Sequence, residues 1–219
     1  MILLCSVLLL AAATTQLDYR EPVEVKTAAS AYLEMLRANC PSDPQCAQKF
    51  QLKSADELQK AKIGEPWAAF TLTYKDFRET AFQDILKVVR FNYYACPIVV
   101  EGKFKGIVRV CEDPDEPAAT FTSCGSRGPT RVAEINTFNL TLAPPSDSLY
   151  VLCVLTIQNN ARYIVVKQGA EFFAIAASDQ AAELIRVNVR HVSRQTMFPL
   201  TEVLYKASVG AKQRDRPPR

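Results

Sequence analysis

The sequence predicts an α+β fold: a mainly antiparallel sheet of hairpins with N-terminal and C-terminal helices packed on it. Two observations lead there. Apolar residues recur at three-to-four spacing near both ends of the chain, while its middle carries β-branched runs broken by turn residues. Helices at the ends with strands between them sort into α+β rather than into alternating βαβ units. Composition agrees: 48% hydrophobic and 22% charged residues over 219 positions, with only seven glycines, belong to an ordinary globular chain.

The elements follow in order. Residues 24 to 39 read as a helix, with Val25, Ala29, Tyr32 and Leu36 on its apolar stripe. Ser54-Ala55-Asp56-Glu57 is a capping box that opens a second, short helix, and Gly64 is its stop. Glu65-Pro66 turns the chain into a strand over Trp67 to Tyr74, where Phe70, Leu72 and Tyr74 alternate with smaller residues. Phe77, Ala81, Ile85 and Val89 return to helical spacing over 76 to 90. Three β-rich blocks come next, Phe91 to Cys111, Arg131 to Leu142 and Leu149 to Ala177, with turns at Glu101-Gly102, Asn159-Asn160 and Gln168-Gly169. Residues 179 to 187 and 199 to 207 read as helices. Ile98-Val99-Val100 echoes in Ile164-Val165-Val166, and Phe104 and Ile107 echo in Phe172 and Ile175. Two amphipathic hairpins look alike for that reason alone; the sharper reading is an old duplication.

The ends and the cysteines bear on compartment. Ile2 to Ala13 is an uncharged apolar run of signal-peptide length, and Ala11-Ala12-Ala13 offers the small residues a signal peptidase needs. No basic residue precedes the run, so a buried N-terminal element is the plainer alternative. The expected organisation is a signal peptide over 1–13, one α+β domain over 14–210 and a disordered basic tail over 211–219. Export makes the protein secreted, periplasmic or cell-surface. No stretch after the signal reaches the length of a membrane helix, so the mature protein is not membrane-spanning. The chain has seven cysteines, and cleavage removes Cys5, leaving Cys40, Cys46, Cys96, Cys111, Cys124 and Cys153. An even number in an exported chain predicts disulfides; buried free thiols are the alternative. Cys40 and Cys46 flank a proline-rich loop. A two-residue turn at Glu101-Gly102 puts Val100 opposite Lys103 and Cys96 opposite Ile107, about 13 Å along the strand from Cys111. Disulfides require Cα atoms within about 7 Å. The favoured pairs are therefore Cys40–Cys46, Cys111–Cys124 and Cys96–Cys153.

Gly64-Glu65-Pro66-Trp67-Ala68-Ala69-Phe70 and Cys96-Pro97-Ile98-Val99-Val100-Glu101-Gly102 resemble segments of exported bacterial proteins of uncharacterised function. Those proteins carry Gly-Glu-Pro-aromatic before a strand and Pro-Val-x-Val-Asp-Gly in a hairpin. Trp67 and Phe70 take the aromatic positions here, and Glu101 stands for the aspartate. The similarity runs over 54 to 110, and more loosely over 161 to 177. It implies an exported α+β module and carries no catalytic residue over.

Chemistry is constrained by what the chain contains. The net charge of +3 equals the excess of Lys212, Arg214, Arg216 and Arg219 over Asp215, so the body is neutral and a poor partner for nucleic acid. One histidine, His191, and no H-E-x-x-H argue against a histidine-built zinc site. A thiol protease needs a free Cys96 or Cys153 beside His191. Gly125-Ser126-Arg127-Gly128 lacks the nucleophile-elbow spacing, and no phosphate-cradling glycine motif or other cofactor signature occurs. Glu112-Asp113-Pro114-Asp115-Glu116 reads as a solvated acidic loop before it reads as a calcium loop. Phe91, Tyr93 and Tyr94 fit a packed strand better than a stacking platform. Arg186, Arg190 and Arg194 fit a solvated charge run. Asn139-Leu140-Thr141 is a glycosylation sequon. The function expected is an exported, non-catalytic binding module for a protein, peptide or small molecule, without cofactor or metal, with exposed strand edges able to accept a partner strand. The alternative is a secreted hydrolase that assembles two carboxylates from distant segments.

Overall fold

A computed structural model describes residues 22–39, 54–111, 120–124, 149–157, 161–185 and 197–213. The signal peptide, the Cys40–Cys46 loop, the Arg131–Leu142 strand and the Asn159-Asn160 turn lie outside the described residues. The fold is α+β with mostly antiparallel pairing. Within the span expected as one domain, the described residues sort into two compact units, one from 68–92 and the part after 146, the other from 20–67 and 93–145.

The second unit begins with α1, Pro22–Asn39. Its buried stripe is Val25, Ala29, Leu33 and Leu36. Leu33 takes the place expected for Tyr32, which is half-buried. The stripe faces β1 (Lys62–Ile63) and β4 (Lys103–Cys111). Between α1 and β1 lies α2, Ala55–Lys60, whose N-cap Ser54 accepts a bond from the Glu57 amide. It ends at Ala61, not at Gly64. Gly64 serves a different purpose: its N–H donates to the Pro97 carbonyl at 2.8 Å, and a Cβ there would sit 2.9 Å from Pro97 Cγ.

Strand β3, Arg90–Val100, pairs antiparallel with β1 and β4, and β5 (Thr120–Cys124) adds to β4. The β3–β4 turn is Glu101-Gly102, as expected, with φ of 51° and 74°. Positive φ at both central residues is the type I′ geometry that matches strand twist. Val100 faces Lys103, but Cys96 faces Val108 rather than Ile107. Lys105 is the extra residue of a bulge between the Val99–Phe104 and Ile98–Gly106 pairs, and it slips the register by one.

The other unit holds β2, Trp67–Leu72, which runs parallel to β6, Leu149–Ile157. Four consecutive residues of β2, Trp67 to Phe70, are buried, so the expected alternation fails. Parallel strands are covered on both faces and lose the period of two. Strands β7 (Ala161–Gln168), β8 (Glu171–Ala176) and β9 (Met197–Pro199) continue antiparallel from β6. The β7–β8 turn is Gly169-Ala170, one residue later than expected, with positive φ at Gly169 alone. Aligned on their turns, the two hairpins match Ile98 with Val166 rather than with Ile164.

Tyr74 does not end a strand. Thr73 is the N-cap of α3, Tyr74–Glu79, and the predicted single helix over 76 to 90 breaks at Thr80 and resumes as the 3-10 helix Phe82–Val88. Helix α4, Asp179–Ile185, packs on β7, and α5, Leu200–Gln213, packs on β8, β9 and α3. Ala211 is buried and helical, so the basic tail starts later than residue 211; Arg214 onward lies outside the described residues.

Candidate functional site

Among the described residues Cys96, Cys111 and Cys153 are free thiols, so no Cys96–Cys153 disulfide is seen. The Cys111–Cys124 pair fails on backbone register, because Cys124 lies opposite Ile107, four residues from Cys111 or about 13 Å along a strand. Cys96 and Cys153 are fully buried. Burial pushes the Cys96 thiol up to about 12 and the Cys153 thiol higher still. Only the thiolate attacks, so neither is placed as a nucleophile. Cys40, Cys46, His191, the 112–116 acidic loop, Arg186, Arg190, Arg194 and Asn139 lie outside the described residues. Tyr93 and Tyr94 are buried, and the Arg109 guanidinium sits 4.6 Å from the centre of the Tyr93 ring, a packed arrangement rather than an open platform.

Several carboxylates among the described residues are held by cations or caps. Among the described residues Asp76 is the buried one, 7% exposed. Its Oδ2 accepts from the Thr73 amide at 2.6 Å and the Thr73 hydroxyl at 2.8 Å, and Oδ1 pairs with Arg90 Nη2. Both oxygens therefore serve the capping box and its guanidinium. Thr73-Tyr74-Lys75-Asp76 has that signature in the sequence; the aromatic alternation of the preceding strand masked it. Glu57 pairs with Lys105 at 3.1 Å and Glu101 with Lys60 at 3.0 Å. Among the described residues, no three His, Cys, Asp or Glu side chains gather as a metal site.

Two surfaces stand out. The first is aromatic. On α5, Leu200, Val203, Leu204, Ala207 and Ala211 are buried, while Tyr205 is 61% exposed and Val209, one turn on, is also exposed. Phe82 of the 3-10 helix meets Tyr205 edge-to-face, ring centres 6.0 Å apart, and is itself exposed. Glu202 and Lys206 form an ion pair at 2.8 Å on the same helix, and Lys206 lies over the Phe198 ring. The i, i+4 spacing of Tyr205 and Val209 off the buried stripe was the sequence signal for this patch.

The second is an open depression of about 380 Å³ at the β3–β4 hairpin tip, lined by Lys60, Lys62, Val99, Glu101 and Gly102.

The chain matches no protein-family model, no curated protein and no solved structure. Its chemistry is read from these two surfaces alone.

Proposed function

We propose that the chain is an exported, non-catalytic binding module, and that a protein partner lands on Phe82, Tyr205 and Val209. The observation that carries this reading is the exposed Phe82–Tyr205 ring pair. Helix α5 is already anchored by its opposite stripe, so the core does not need Tyr205. Large aromatics left in water beside one another are the usual anchors of protein contacts, and truncating such an anchor typically costs about 2 kcal/mol or more of binding. Glu202 and Lys206 supply a polar rim. Export is supported by the apolar run Ile2 to Ala13. The commitment of both Asp76 oxygens to Thr73 and Arg90 speaks against a carboxylate-dependent hydrolase.

The test is capture from the exported fraction of the source cell by three immobilised proteins: wild type, Phe82→Ala/Tyr205→Ala and Met35→Ala. Met35 is an exposed apolar residue of the other unit and serves as the control. One protein retained by wild type and Met35→Ala but lost by the double variant supports the reading. Equal capture by all three, or by none, overturns it.

A further inference from the structure

We propose that the depression at the β3–β4 hairpin tip binds the carboxylate of a small organic acid through Lys60 and Lys62. This site goes beyond the aromatic patch and uses none of its residues. Three observations carry it. First, the lining residues include two lysines and one glutamate, a net single positive charge that matches one carboxylate. Lys62 makes no ion pair among the described residues, so its charge is available. Second, Glu101 is the single non-glycine residue with positive φ among the described residues. Glycine, Asn or Asp would occupy that position with less strain. A long acid there has no backbone reason, and strain of this kind gathers at functional sites. Its carboxylate reaches Lys60 across 41 residues of chain and holds that ammonium at the rim. The same hydrogen bond raises the Lys60 pKa and keeps the group charged. Third, half-buried Val99 supplies an apolar wall for an alkyl chain, and the bare Gly102 leaves open space beside it.

Glu101 is a positioning residue with a second effect. It subtracts one charge from the site and thereby disfavours dianions. Replacing it with Asn keeps a residue that tolerates positive φ and leaves a net charge of two.

The experiment follows backbone amide resonances of the full chain during titration with valerate, n-butylamine or inorganic phosphate at low salt. Saturable valerate shifts at Lys60, Lys62 and Gly102, with none from the amine, are expected. Lys62→Gln, at an exposed position, should weaken valerate about fivefold, the upper range for an exposed ion pair. Glu101→Asn should move the preference from valerate toward phosphate. No saturable valerate shift, an equal response to the amine, phosphate preferred by the wild type, or undiminished binding by Lys62→Gln would each overturn the proposal. These readouts do not involve Phe82 or Tyr205, so failure here and failure of partner capture are separate results.

Discussion

At the scale of single residues, two glycines of the same type have opposite meanings. A Cβ on Gly64 would lie 2.9 Å from the Pro97 ring and 3.4 Å from Val99 Cγ2, and neither neighbour is a flexible chain end. Gly64→Ala is expected to cost about 1–3 kcal/mol, the range for forcing atoms into a packed site. A Cβ on Gly210, inside α5, meets nothing within 4 Å. Gly210→Ala is expected to stabilise by about 0.5–1 kcal/mol by reducing the freedom of the unfolded chain. Urea midpoints of the two variants, read together, check both signs. Cys96 adds a pH dependence. Its folded-state pKa is raised from 9.0 to about 12 by burial. A raised pKa means that the unfolded chain loses this proton first. The stabilisation is complete below pH 9.0 and is lost as pH rises towards 12. The stability gap between wild type and Cys96→Ala should therefore narrow from neutral pH to about pH 11. A constant gap over that range would refute the burial argument.

At the scale of elements, α2 shows how a six-residue helix is held. Such a helix is too short to persist alone. Arg37 of α1 reaches its C-terminal end, donating to the Leu58 carbonyl at 3.1 Å, to the Gln59 carbonyl at 3.1 Å and to the Ala61 carbonyl. Glu57–Lys105 and Lys60–Glu101 clip its side to the β3–β4 hairpin. Arg37→Ala is expected to cost about 1.5–3 kcal/mol, the range for hydrogen bonds to a charged group. Amide exchange in Ala55 to Ala61 should accelerate more than exchange in β4; uniform acceleration would contradict a local role. Much of this architecture was legible beforehand. The α1 spacing, the Ser54 cap and the Glu101-Gly102 turn depend on neighbours within a few residues, and each appears where the sequence put it, save that Leu33 replaces Tyr32 on the α1 stripe. What depends on distant chain was less legible. Lys105, the bulge residue, pairs with Glu57 far away in sequence, and its bulge slips the hairpin register by one. The parallel β2–β6 pair buried both faces of β2 and erased its alternation. The aromatic patch was missed because Tyr205 and Val209 are defined by what α5 does not bury.

At the scale of the whole molecule, the charge of +3 has a boundary that the structure moves. Composition assigned the excess to residues 211 to 219 as one basic tail. Helix α5 takes three of those residues, since it runs to Gln213 and buries Ala211 to 1% exposure. Lys212 therefore belongs to the folded body's last turn, and the segment after it carries Arg214, Arg216 and Arg219 against Asp215. Two truncations separate these parts. Removing 214 to 219 deletes three cations and one anion, so the net charge falls from +3 to +1. Stability should stay within about 0.5 kcal/mol, as for changes away from packed features. Removing 211 to 219 also strips a buried methyl group and the closing turn of α5. Each buried carbon contributes about 0.8 kcal/mol, and the helix must end one turn early at Gly210, so a loss of about 1 kcal/mol or more is expected. Thermal unfolding of the two truncated chains beside the full one decides the matter. Equal midpoints for both would mean that α5 has no structural need of its last turn. A fall already present on removing 214 to 219 would mean that the basic segment supports the folded body.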